Sequence, residues 1–310
     1  MLSSMDRRLA FAEASLGHRL RAPVHYVWVD EAPGLGGFPG QYICNPVAER
    51  HKVFHILREP PTSREEVDNS ASAWVYEYTH CVLCEAFGAL PALVNEGIAC
   101  MVEDDLFERN SHAEAAITSA AGILPPLVVL VNWLNQATRA WQFDTVVNYS
   151  AAASFMSFVR DEFGRDALVS MCKRMPDCRV ASWERIPEMV ITALEETAWM
   201  SLDRLETTWK QRLDSTEIDC RLRPRLVAGV RLLKHRYSSP DFDSPVFLSN
   251  LAGKSIGSFW NEFLRLQQTV VYFGAARSSD TTEQELREQI DELHVRAAEL
   301  RFTLLREVIE

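Results

Sequence analysis

What this sequence has too little of is positive charge. It carries 32 lysines and arginines against 43 aspartates and glutamates, a formal net charge of −11. That balance argues against a nucleic-acid backbone or an anionic membrane face as the main partner. Basic side chains cluster only briefly, at Arg221, Arg223, Arg225 and Arg231, which reads as a solvated helix face. Long apolar runs are missing as well. The most apolar segment, residues 123–134, contains Pro125 and Pro126. At about 12 residues it is too short to span a bilayer and is expected to form a buried helix. Residues 1–17 lack the apolar core and cleavage site of a signal peptide. Seven cysteines, an odd and scattered set, do not make a disulfide framework, so reduced thiols in a cytoplasmic protein are expected.

Two partial motifs lack what they need. Gly253-Lys254-Ser255 ends like a phosphate loop, but Leu248 stands where the first glycine belongs. Gly253 to Gly257 also fits G-x-S-x-G. A nucleophile elbow needs a parallel sheet around it and a later acid and histidine, and the residues that follow read as helix despite His294.

What is there is ordinary globular composition, 47% hydrophobic and 24% charged, enough for one large domain or two smaller ones. Residues 6–17 read as a helix closed by Gly17, and 24–29, 41–44 and 53–58 as strands. A glycine- and proline-rich turn is expected at 33–40 and a polar loop at 59–70. From about residue 72 onward the apolar period is helical. It predicts helices at 72–87, 90–104, 111–121, 126–139, 145–163, 166–174, 182–197 and 202–213. Composition shifts at 214–219, and further helices are expected near 221–236 and 255–273. In the last segment, 281–308, Leu286, Ile290, Leu293, Ala297, Leu300, Leu304 and Val308 recur at steps of three and four. Such a stripe packs on its own domain or forms a homodimer seam.

The informative stretch is 73–103. A zinc peptidase places H-E-x-x-H on one helix, so that two imidazoles one turn apart reach one metal and the glutamate takes a proton from metal-bound water. A third ligand comes from a second helix. Here the frame is Tyr76-Glu77-Tyr78-Thr79-His80, and after the turn Gly88-Ala89-Leu90-Pro91 a second helix brings Asn95-Glu96-Gly97. The 16 residues from His80 to Glu96 leave room for one helix to end, turn and return.

This stretch resembles the peptidase MA-like group of gluzincin metallopeptidases, which follow H-E-x-x-H with a proline, an apolar pair and an E-G-x-A segment. Pro91, Leu93, Val94, Glu96, Gly97 and Ala99 fit that segment. Downstream, Tyr149, Ser154-Phe155 and Phe163-Gly164 resemble the group's tyrosine-bearing helix, and Leu202, Leu205, Glu206 and Trp209 its closing helix. The likeness covers roughly residues 6–213. It implies an α+β, mostly helical fold: a small N-terminal sheet over a gluzincin-like helical core (1–213), then a helical C-terminal region (214–310). The strand 53–58 would be an edge strand across a cleft. The resemblance also implies zinc held by position 76, His80 and Glu96, with Glu77 as general base and Tyr149 helping to stabilise an oxyanion.

The pattern breaks at position 76. A neutral phenol with a pKa near 10 is a poor zinc ligand, and catalytic zinc normally has three protein ligands. Position 100, where the family often places an acid bracing the first histidine, is Cys100. A Cys100 thiolate is one candidate substitute ligand; a small buried hydrophobe is the plainer reading. His51 and His55 share a strand face but lie ~13 Å apart, too far to share a metal. His55 alone is expected to border the cleft beside Tyr76. The C-x-x-C of Cys81 and Cys84 reads as core packing, and Glu77-x-x-His80 lacks the second E-x-x-H that a di-iron bundle needs. The expectation is therefore a pseudopeptidase whose cleft binds a peptide or small molecule. The alternatives are a metal-dependent hydrolase using Glu77, His80, Glu96 and a substitute ligand, or an interaction protein working through its terminal helix.

Overall fold

The computed structural model describes residues 4–29, 40–45, 50–56, 72–107, 111–120, 122, 124–133, 145–182, 184–216, 228, 231, 282–292 and 294–295. The turn at 33–39, the loop at 59–70, the partial motifs at 248–257 and nearly all of the helices expected at 221–236 and 255–273 lie outside them. The described chain is mostly helical. In order come α1 (Ser4–Leu16), β1 (Val24–Val29), β2 (Gly40–Asn45), β3 (Arg50–Ile56), α2 (Ser72–Phe87), α3 (Ala92–Phe107), α4 (Ser111–Ala120) and α5 (Leu127–Val131). Then follow α6 (Thr145–Phe163), α7 (Arg165–Arg174), α8 (Ile186–Ala198) and α9 (Leu202–Asp214).

The chain divides into two compact units. The first comprises Met1–Ser111, Leu127–Leu134 and Ala152–Leu205; the second comprises His112–Pro126, Asn135–Ala151 and Glu206–Glu310. In the first, the three strands lie in the order β1-β3-β2, with β1 parallel and β2 antiparallel to β3. The strand at 50–56 is therefore central, not the edge strand that the resemblance implied. Both of its hydrogen-bonding rows are used, which leaves the outer rows of β1 and β2 as the sheet's edges among the described residues. Helix α2 lies against β2 and β3 and packs on α1 and α3. Its buried face includes Val75, Tyr78, Val82 and Leu83, and α3 buries Leu93, Val94, Ile98, Met101 and Val102.

Caps and turns hold these elements in place. Gly88, at φ +86°, closes α2 through its N–H to the Cys84 carbonyl. The Pro91 carbonyl then accepts the N–H groups of Val94 and Asn95, which starts α3. In the same last turn of α2, Glu85 takes the His18 ring nitrogen at 3.0 Å and the backbone N–H of Arg21 at 2.9 Å, fastening the α1–β1 connection.

One helix is shorter than its apolar period predicted. The expected 126–139 becomes Leu127–Val131. Asn132 accounts for the stop: both its side-chain amide, at 2.7 Å, and its backbone N–H, at 3.1 Å, donate to the Val128 carbonyl, and Trp133 N–H turns back to Leu130. Leu127, Leu130, Val131 and Trp133 are nonetheless buried. None of the described helices is long and apolar enough to cross a membrane.

In the second unit, residues 283–292 are helical and open on a reciprocal cap. The Thr282 N–H and hydroxyl donate to the Glu285 carboxylate at 2.7 and 2.9 Å, and the Glu285 N–H returns to the Thr282 hydroxyl at 3.2 Å. The Glu285 carboxyl is held below its usual range by those donors. Leu286 and Ile290, the first two positions of the terminal stripe, are buried within the chain. The stripe at 293 and from 297 on lies outside the described residues. Thr282→Ala is expected to cost about 1 kcal/mol by removing the cap, read as a lower urea midpoint.

Candidate functional site

Tyr76, Glu77 and His80 stand on α2, and Glu96 and Cys100 on α3. The period of α2 puts Tyr76 and His80 one turn apart on one face. Their rings meet edge to face with centroids 4.5 Å apart. The facing helix delivers Glu96 to both: the Tyr76 hydroxyl donates to Glu96 Oε2, and His80 Nε2 lies 3.4 Å from the same oxygen. Asn95 Nδ2 reaches Glu96 Oε1 at 3.3 Å. Glu77 and Cys100 are buried on their respective helices, as are His80 and Glu96 themselves. Tyr76 is half-buried, the most exposed of the three partners.

Why the helices come so close is visible at Gly97. A Cβ there would fall 2.7 Å from the Ala152 carbonyl oxygen and 2.9 Å from its carbon, both backbone atoms of α6. Glycine thus lets α3 lie against α6 while the preceding residue, Glu96, faces α2. Gly97→Ala must push the helices apart and is expected to cost about 1–3 kcal/mol, seen as a thermal midpoint several degrees lower.

The electrostatics follow from the pairing. Burial by itself would lower the His80 pKa, but the Glu96 carboxylate and, further off, Glu77 outweigh it and push His80 up to about 9. Burial would raise Glu96; the imidazolium and the hydrogen bonds from Tyr76 and Asn95 hold it below its ordinary value instead. The pair is therefore a buried imidazolium and carboxylate at neutral pH. Because His80 binds its proton more tightly folded than unfolded, its contribution to stability is complete below the ordinary value of 6.5 and is lost as pH rises through about 9. Glu96's contribution is present above its ordinary 4.5 and is lost as pH falls below that. The gap in thermal midpoint between wild type and His80→Gln is expected to be widest at pH 5–6.5 and to shrink toward pH 9; a gap independent of pH would contradict this pairing.

The other expected site residues are placed as follows. His55 lies in β3, opposite Trp28 of β1 and Gly40 of β2, and its side chain is outside the description. Tyr149 is half-buried on α6, in the part of that helix that belongs to the second unit. Cys81 is buried in the core. Among the described residues, no group of three histidine, cysteine, aspartate or glutamate side chains is arranged to hold a metal ion. No family model, curated protein or solved structure matches this chain.

Sequence reasoning missed the bond between Tyr76 and Glu96. A tyrosine one turn before His80, with Glu96 returning from the next helix, was signal enough to find it. A phenol at position 76 is a poor metal ligand but a good donor to a carboxylate.

Proposed function

We propose that the chain is a degenerate gluzincin-fold protein, a pseudopeptidase whose cleft is kept for binding a peptide or other ligand and not for hydrolysis. One observation carries this reading: Tyr76 and His80 both direct their protons at a single oxygen of Glu96. In a zinc site, the residues at these three positions would turn lone pairs toward a common centre. Here the phenol donates to the carboxylate, the imidazole pairs with the same oxygen, and only two ligand-type side chains are left where a catalytic zinc takes three. Two acceptor ligands become a closed ion pair and the third position becomes its cap. The donor set therefore does not fit a catalytic zinc, and no metal-dependent step is assigned to Glu77.

The same arrangement supports a binding role. Tyr76, the partly exposed member, is the group a ligand would meet first, its ring held in place by His80 and its hydroxyl by Glu96. A peptide adding to the sheet would use the outer row of β1 or β2. A cytoplasmic setting suits the thiols: Cys172 and Cys178 are free, and burial pushes them up to about 12 and about 11, which keeps them unreactive.

The test is a paired assay. A fluorogenic peptide pool is incubated with the purified chain, with and without chelator, and binding of an uncleaved peptide pool is measured for wild type and Tyr76→Ala. The reading predicts no cleavage and a weaker complex for Tyr76→Ala. Cleavage that is lost with chelator and with Glu77→Gln would contradict it.

A further inference from the structure

We draw no further inference here: the strongest candidate, the groove along the exposed face of α8 lined by Arg174, Arg185, Glu188 and Glu196, carries nothing because its two arginines are matched by its two glutamates and nothing in the structure shows what fills it.

Discussion

Glu96→Ala is expected to lower the stability of the chain by about 3–5 kcal/mol at pH 6. The residue is buried and pairs with Tyr76, His80 and Asn95, so its removal takes away the acceptor of the Tyr76 hydroxyl and the nearest counter-charge of His80. At pH 6 the His80–Glu96 pair makes its full contribution, because that pH lies below the ordinary imidazole value. That contribution fades as pH rises toward about 9, so the loss should be smaller at pH 8.5. The asymmetry between breaking a buried pair and replacing all of it gives a second arm. The triple change Tyr76→Phe, His80→Leu and Glu96→Leu removes the phenol, the imidazole and the carboxylate together and should recover much of the loss. Urea unfolding of the single and triple variants measures both. A Glu96→Ala variant that loses less than about 1 kcal/mol at pH 6 would mean that the three groups do not depend on one another.

Tyr76→His should turn the cluster toward metal. The substitution places imidazoles at positions 76 and 80, one turn apart on α2, with Glu96 opposite them on α3. It also removes the phenol that donates to Glu96. Zinc would compete with the proton on His80, so uptake should strengthen as pH rises from 6 to 8. The expected result is about one zinc per chain at pH 8 and a gain of about 2.7 kcal/mol at a hundredfold excess of zinc over its dissociation constant. That gain should raise the thermal midpoint by about 5–10 °C. Failure of Tyr76→His to take up zinc would show that the two helices do not preserve metal-site geometry, and the gluzincin reading would lose its support.

Much of the helical framework was legible in the sequence for simple physical reasons. The apolar period of 72–87 and 145–163 gave the bounds of α2 and α6. Gly88 and Pro91 marked the turn between the two site helices, because one supplies a positive φ and the other cannot continue a helix. Stops set by side-chain bonding were harder to see. Asn132 ends α5 by taking the Val128 carbonyl, and nothing in the apolar pattern of 126–139 announces this. Strand order was hidden as well. Alternation shows that a strand exists but not which neighbours it finds, so the central position of β3 needed the pairing itself. At the site, spacing brought His80 and Glu96 together correctly, since both follow from helix period and turn length. The polarity of their contact did not follow. Whether His80 offers a lone pair or a proton depends on what Tyr76 and Glu96 do at distances that only the folded chain sets.

Everything at the site turns on whether His80 and Glu96 serve each other or a metal. The most direct test is the zinc content of the wild-type chain, purified without chelator and measured by elemental analysis at pH 8. An ion pair closed by the Tyr76 phenol predicts zinc far below one equivalent, falling further on simple dialysis. About one equivalent of zinc that survives dialysis, and that is lost in Glu96→Ala, would contradict it.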